Sequence, residues 1–402
     1  MTVEMTKYKL YEIADYVSSK VSTSQLSLQD YVTTDCLLQN KCGRECAKNL
    51  PPQCTNVTAY KPGDILISNI RPYLKKIWYA DSEGGNSADV LTIRAKEGFE
   101  NQYMYYALFQ DSFFDYASKG VTGSKMPRGD KDRIMNFEIL VPKNLKSQKK
   151  IASILSDFDK RIENLRVQNR VLEQTAKTIY DYTFLQCAGH QTTYNKTLNR
   201  NIPADWEVKS VNQMAKSYRG VAYDKSDVQK ENNGGILVLR GNNIQDNNLV
   251  YDGNVVYIPE NLVEDNQHIK KGDIIMTMSS GSKEHIGKCT MFQYDSKHTY
   301  GAFLTKFTPN RECRYYFYMN LISDYFKAKI KSVCNGTGIN NLTNQTFNEI
   351  FFPYPDSKTL DVFEKTVTPI FDKMGVNTKQ IETLTTQRNT LLPLLMTGQI
   401  EV

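Results

Sequence analysis

Histidine is scarce in this chain: His190, His268, His285 and His298 are the only four among 402 residues, and they show no base-and-nucleophile or H-x3-H arrangement. Imidazole-based catalysis and His-rich metal sites therefore have no foothold. A charge excess of one sign is also missing, since 50 Lys and Arg against 44 Asp and Glu leave a surplus of only +6. This is no histone-like polycation, and any contact with nucleic acid has to come from local clusters. No run of apolar residues approaches the length needed to span a bilayer, and the opening MTVEMTKYKLYEIADYV lacks the basic-then-apolar pattern of a signal peptide. The expectation is a soluble chain in a reducing, cytoplasmic setting.

Of eight cysteines, half fall in one stretch, Cys36, Cys42, Cys46 and Cys54, spaced C-x5-C-x3-C-x7-C. Zinc sites open with a C-x(2-4)-C pair and close with another, and only the middle gap fits. The stretch reads as a loop of reduced thiols, with no metal expected. Apolar residues make up 40% of the chain, enough to exclude global disorder and to fill more than one core.

What is present is repetition. Tyr60-Lys-Pro-Gly-Asp-Ile-Leu-Ile-Ser68 is echoed by Ile269-Lys-Lys-Gly-Asp-Ile-Ile-Met-Thr277, Glu138-Ile139-Leu-Val-Pro142 by Glu349-Ile350-Phe-Phe-Pro353, and Phe158-Asp159-Lys160 by Phe371-Asp372-Lys373. Three matches in one order, with a slowly growing offset, describe one ancestral unit written twice. Each copy holds strand-like runs opened by a Gly-Asp turn, Ile65–Ile70 and Ile274–Met278, then aromatic helical patches, Tyr103–Phe114 and Tyr315–Phe326, then a long polar helix. The fold class is α+β: two similar mixed α/β domains, residues 1–145 and 189–356, separated by two long antiparallel helices, 146–188 and 357–402, the latter including a tail.

The first helix carries Phe158, Ile162, Leu165, Asn169, Leu172, Ala176 and Ile179 in alternating steps of four and three, a coiled-coil rhythm with one polar position. Ser147 is the expected cap and Gly189 the expected stop. In the second, Pro369 predicts a short helix to about Thr366 and a fresh start, after which Phe371, Ile381, Leu384, Arg388 and Leu391 continue the seam until Pro393 ends it. The apolar positions of both helices are the candidate pairing residues, and the antiparallel pairing they imply is expected to put two similar modules at the ends of a rod. Such a rod suits duplex DNA, whose major-groove faces recur about every 34 Å.

Local charge agrees. Arg71-Pro-Tyr-Leu-Lys75-Lys76 has no acid and carries Tyr73 between its cations; residues 119–133, KGVTGSKMPRGDKDR, add Lys125 and Arg128 on a Gly-punctuated loop. The second copy offers Arg219, Arg240, Lys283 and Lys288 in or near Gly-rich loops, with Asn242, Asn243, Asn340 and Asn341 in turn-like places. Arg reads guanine, Asn and Gln read adenine, and loop amides suit phosphate. The DNA-binding candidates are Arg71, Lys75, Lys76, Lys125, Arg128, Arg219, Arg240 and Lys283; the ordinary alternative for each is a solvated surface group.

Catalytic motifs fare poorly. Gly281-Ser-Lys-Glu-His-Ile-Gly287-Lys288-Cys289 has five residues where a phosphate-binding loop has four, and Cys where magnesium needs a hydroxyl. Asp205, Glu207 and Lys209 mimic the acidic pair and lysine of metal-dependent nucleases, but Trp206 between them reads as a packing anchor. A stand-alone metal-dependent DNA nuclease is the alternative function these three residues would carry.

The duplicated architecture, the K-x-G-D-I run, Ile202-Pro203-Ala-Asp-Trp206-Glu207, Gln148-Lys-Lys-Ile151-Ala-Ser-Ile154-Leu155 and the tail Leu391-Leu-Pro-Leu-Leu-Met396-Thr-Gly398-Gln-Ile400 together resemble the specificity subunit of type I restriction-modification systems. The resemblance spans essentially the whole chain and is most specific in the tail and the opening of the first helix. It implies that each mixed domain is a target recognition domain reading half of a bipartite site in double-stranded DNA, and that the helices are the spacer. It implies two methyltransferase subunits docked on those helices, carrying S-adenosylmethionine and modifying a flipped adenine, with an endonuclease subunit as a further partner. No cofactor is expected on this chain, which would be a non-catalytic address and scaffold. The cysteine-rich loop and the irregular seam at Pro369 depart from the family pattern. One heptad added or removed between Phe158 and Ile179 is about 10 Å of helix, and should change the length of the unread spacer in the target.

Overall fold

The computed structural model describes residues 4–51, 55–121, 126–186, 190–229, 234–245, 247–250, 255–281, 283–336 and 341–400. The chain divides into two compact units, Met1–Glu163 with Glu382–Val402, and Asn164–Ile381. The fold is α+β, and the units repeat one plan.

In the first unit the strands Ala14–Tyr16, Val90–Ala95, Ile65–Ser68 and Ile77–Tyr79 form an antiparallel sheet in that order. In the second, Ala215–Arg219, Leu304–Pro309, Ile274–Thr277 and Cys289–Met291 form the same sheet in the same order. Each central strand is buried along its whole length, which is why both read as unbroken apolar runs rather than alternating ones. Each unit also has a second sheet containing one parallel pair, Tyr31–Val32 with Gly84–Asn86 in the four-stranded sheet of the first unit and Ile236–Leu239 with Thr299–Tyr300 in the three-stranded sheet of the second.

The Gly-Asp turn that opens each central strand has a physical reason. Gly63 and Gly272 both sit at φ +91°, in the left-handed region that side chains rarely adopt. The aspartate that follows is buried and ion-paired. Both oxygens of Asp64 accept from the Arg94 guanidinium (2.6 and 2.7 Å), and Lys61 N–H donates to the carboxylate at 2.9 Å. Asp273 pairs with Lys306 at 3.2 Å and accepts from the Thr308 hydroxyl at 2.6 Å and Lys270 N–H at 2.8 Å.

Two short helices follow, Asn101–Phe109 and Asp111–Ser118, matched by Arg314–Ile322 and Asp324–Gly336. Their buried aromatics are cross-linked to a strand behind them: the Tyr103 hydroxyl donates to the Leu140 carbonyl (2.7 Å), and the Tyr316 hydroxyl donates to that of Pro353. Leu140 therefore corresponds to Pro353. The Glu138 and Glu349 match is two residues out of structural register, because Lys9 pairs with Glu138 whereas the equivalent Ser210 pairs with Phe351. Identical letters misled there: Glu138 lies in its strand and pairs with Lys7, while Glu349 precedes the strand.

The first long helix spans Leu145–Tyr180 and runs into one π turn, Asp181–Leu185. Its cap is Asn144, whose side-chain oxygen accepts from Lys146 N–H at 2.8 Å, rather than the expected Ser147, whose own N–H is already engaged by the Asn144 carbonyl. The expected stop at Gly189 lies outside the described residues. The second long helix, Ser357–Met396, is continuous through Pro369 and Pro393, against the expected break near Thr366 and stop at Pro393. Both prolines are exposed, on the solvent side of the helix. Phe363, Val367 and Phe371 are buried on either side of Pro369. Each buried side chain contributes on the order of 1.5–3 kcal/mol, more in sum than the ~3 kcal/mol a mid-helix proline costs.

In each unit the two helices pair antiparallel. Ile151, Ala152 and Leu155 share the first core with Leu392, Leu395 and Met396, and farther along Asp159 meets Arg388. In the second core Ala176, Tyr180 and Phe184 join Leu360, Phe363, Val367 and Phe371, while Asn169 meets Asn377. Ile162 and Phe371 are buried; Phe158, Leu165, Leu172, Ile179, Ile381, Leu384 and Leu391 are half-buried. Among the described residues no helix is long and apolar enough to cross a membrane.

Candidate nucleic-acid interface

At the end of each central strand four chain segments are tied together by the same backbone bonds. In the first unit Asn69 N–H donates to the Asp89 carbonyl (2.8 Å), Gly129 N–H to Asn69 (2.9 Å), Ser87 N–H to Val32 (2.9 Å) and Val90 N–H to Ser87 (3.0 Å). In the second, Met278 N–H donates to Phe303 (2.9 Å), Leu342 N–H to Met278 (2.8 Å), Gly301 N–H to Leu239 (2.9 Å) and Leu304 N–H to Gly301 (2.8 Å). An isolated bridge completes each frame, Ile70 with Arg128 and Ser279 with Asn341. The frames superpose bond for bond, and so assign Asp89 to Phe303, Arg128 to Asn341 and Thr33 to Arg240.

The first unit presents a tight turn there. Arg71 (φ 50°) and Lys75 (φ 52°) are both left-handed and bracket Pro72–Leu74, leaving Tyr73 55% exposed. Two non-glycine residues in that region cost on the order of 1–3 kcal/mol each. The turn is held by Arg71 N–H on the Pro127 carbonyl (2.8 Å) and Lys41 N–H on the Lys75 carbonyl (2.9 Å). Arg71 is exposed. Lys75 is 3.1 Å from Asp111, which also holds Lys41. Burial pushes the Asp111 carboxyl up, but the two ammonium groups outweigh it and hold it below its ordinary value. Lys76 is half-buried and donates to the Thr34 carbonyl at 2.6 Å, and burial pulls its ammonium down. Arg128 forms a forked pair with Asp89 at 2.9 and 3.2 Å on the surface. Lys125 lies outside the described residues.

The second unit presents a different face on the same frame. Arg219 is exposed at a strand end, and Arg240 is half-buried at the head of the turn Gly241–Asn243. Asn243 holds that turn from inside, accepting from Arg240 N–H (2.9 Å) and donating to the Val250 carbonyl (2.9 Å), so its amide is structural. Asn242 and Asn341 are exposed, and Asn340 lies outside the described residues. Of Lys283 only the backbone is described, in the turn Lys283–His285. Phe303 stands beside Ser279, and the sequence gives no hint of it: whether a lone aromatic is core or surface is decided by tertiary placement.

Of the two acids and the lysine of the nuclease alternative, Glu207 meets Lys209 while Asp205 meets His190 instead. Asp205 lies 3.6 Å from His190, Glu207 lies 3.5 Å from Lys209, and the Lys209 ammonium sits 3.4 Å from the centre of the Tyr354 ring. Trp206 is buried against Phe184. Among the described residues no group of three His, Cys, Asp or Glu could hold a metal ion. Cys36 is buried on Thr33, Cys42 is half-buried and Cys46 is exposed; Cys54 lies outside the described residues.

Comparison with known proteins converges on this architecture. The family described as "Type I restriction modification DNA specificity domain" matches residues 4–174 and again 203–387. The type I restriction enzyme MjaIX specificity subunit of Methanocaldococcus jannaschii is 24% identical over 371 residues, covering 91% of this chain and 82% of that one. The EcoKI specificity subunit of Escherichia coli is 31% identical over 156 residues, 38% of this chain and 33% of that one. The crystal structure of a type I restriction-modification S subunit from M. genitalium has the same fold, with a TM-score of 0.57 at 16% identity over 98% of this chain and 96% of that one.

Proposed function

From the premise that this chain belongs to the type I restriction-modification DNA specificity family, we propose how it exercises that function. It is the subunit that reads a bipartite DNA sequence, one half per module. The observation that supports two unlike half-sites is the shared frame with unlike faces: a strained, cationic turn with an Asp89–Arg128 pair on one unit, and Phe303 with Asn341 on the other. Arg71 and Arg128 in the first module and Arg219, Arg240 and Lys283 in the second are the cations that reach DNA, with Lys125 beside Arg128 in sequence. Lys75 and Lys76 act by holding the turn that carries Arg71 and Tyr73.

The chain performs no chemistry itself. Two methyltransferase subunits dock on the long helices and carry S-adenosylmethionine, an endonuclease subunit is a further partner this complex can take, and the complex works in the cytoplasm. Co-expressed with its methyltransferase subunit, the chain is expected to bind one split sequence tightly and in a salt-sensitive way. Equal binding to random duplexes by that complex would refute the reading. Purified alone with magnesium, the chain should leave DNA intact.

A further inference from the structure

Phe303 is the barest large apolar side chain among the described residues, at 71% exposure. Its backbone is far from loose. The turn Gly301 to Phe303 lies between the fully buried Tyr300 and Leu304, Gly301 donates to Leu239, and the Phe303 carbonyl accepts from both Met278 N–H (2.9 Å) and Ser279 N–H (3.4 Å). Gly220 packs so closely against this turn that a Cβ there would sit 2.2 Å from the Gly301 carbonyl oxygen. An exposed ring on a pinned turn forgoes burial in the folded unit, and it loses little freedom when something covers it.

The frame does not oblige this position to be aromatic, for its twin in the first unit is Asp89, paired with Arg128. The second unit has neither charge: Phe303 and Asn341 take their places. Arg240 directly follows Leu239, the residue that receives the Gly301 hydrogen bond, and Arg219 is paired across the sheet with Thr305, two residues beyond Phe303. An aromatic ring flanked by two arginines and an exposed amide suits a polyanion with flat, stackable faces.

We propose that Phe303 is the base-stacking wedge of the second module, entering a base step of the half-site that module reads, while Arg219 and Arg240 engage the flanking phosphates. The wedge rests on the DNA-addressing reading above. It is a device of one module only, since the twin position holds Asp89, an ion-paired carboxylate with no ring to stack. Apolar wedges of this kind partly unstack the step they enter, and thereby favour flexible pyrimidine–purine steps at the point of insertion.

The test uses the complex assembled with its methyltransferase subunit and a duplex carrying 2-aminopurine in one half-site or the other. Phe303→Ala is expected to weaken cognate binding roughly tenfold or more, the effect of losing one base–aromatic stack, without changing the salt slope. It should also abolish a fluorescence rise confined to one half, while Phe303→Trp keeps both affinity and signal. Wild-type affinity and signal in Phe303→Ala, beside a wild-type complex that still prefers its cognate site, would overturn this inference alone. Failure of Phe303→Ala to assemble would overturn it too, by assigning the ring to the methyltransferase. A wild-type complex without sequence preference would overturn the wedge together with the reading beneath it.

Discussion

Asp64 and Asp273 occupy the same buried place in the two units, and the fold satisfies them with different cations. In the first unit the Arg94 guanidinium reaches both carboxylate oxygens at once. In the second, Lys306 makes a single contact, so the Thr308 hydroxyl serves the other oxygen, and the surplus ammonium donors turn to the His268 carbonyl (2.7 Å) and the Tyr218 ring (5.2 Å). What is kept between the copies is an electrostatic requirement, not a residue. The difference also sets how each unit tolerates damage: the Lys306 side chain is 5% exposed, whereas that of Arg94 is 32% exposed and has a route to water.

Breaking the pairs should expose that contrast most strongly. Asp273→Ala strands a buried ammonium and should cost about 3–5 kcal/mol, whereas Asp64→Ala should cost about 2 kcal/mol, since Arg94 can turn outward. The two tryptophans make the comparison measurable, because Trp78 lies in the first unit and Trp206 in the second. Denaturant unfolding followed by fluorescence, with one tryptophan at a time changed to Phe, reads each unit separately. Equal losses would sink the account.

The helix seams differ in the same spirit. The first unit places an Asp159–Arg388 pair there, joined by the Tyr106 hydroxyl on Asp159 (2.7 Å), while the second uses neutral amides, Asn377 donating to Asn169 at 2.9 Å. Asn377→Leu should cost about 1–3 kcal/mol by leaving the Asn169 side-chain oxygen without its donor, and adding Asn169→Leu should recover most of it. An additive double variant would mean the amides do not act as a pair. A smaller effect is expected of Arg94→Lys, about 1–2 kcal/mol, from loss of the forked contact without the Thr308 hydroxyl that compensates in the second unit.

The subtlest contrast lies in how the long helices cap the short ones. In the first unit Gln148 accepts from Glu100 N–H (2.9 Å), a neutral cap; in the second, Glu364 accepts from Tyr315 and Tyr316 N–H (both 2.9 Å). Burial lifts the Glu364 carboxyl to about 7, against the pull of those two N–H groups. Between its ordinary value of 4.5 and about 7 the folded chain holds a proton that the unfolded chain has released. This group therefore makes the second unit lose stability as pH rises through that window. Glu364→Gln should flatten that part of the pH profile of the Trp206-reported transition and leave the Trp78-reported one unchanged; an unaltered slope would count against the cap.

These contrasts also mark what a linear reading reaches. The Gly-Asp turns were legible because a left-handed glycine followed by a buried acid leaves a local signature. The heptad seam was legible because its period is local too, down to the polar Asn169. Pro369 was misread because local propensity weighs one missing donor, while burial of Phe363, Val367 and Phe371 comes from the tertiary core. The strand match was two residues out because identity of letters is not identity of hydrogen-bond register. On the candidate faces, Arg71 and Arg128 were visible as charges, whereas Lys76 turns inward to a carbonyl and Phe303 turns outward from the core. Inward or outward is a property of the folded neighbourhood, and composition does not carry it.

The first unit is closed by residues far away in the chain: Leu392, Leu395 and Met396 fill the same core as Leu10, Tyr103 and Leu155. A ribosome must therefore polymerise residues 164–381 before that core can be sealed, a delay of roughly 10–40 s at ordinary rates of synthesis. The later-made unit, contiguous in sequence, can finish first, so the nascent chain carries an open apolar seam at its older end. Chaperones, or early arrival of another subunit of the restriction-modification complex, would have their greatest effect on yield during that interval.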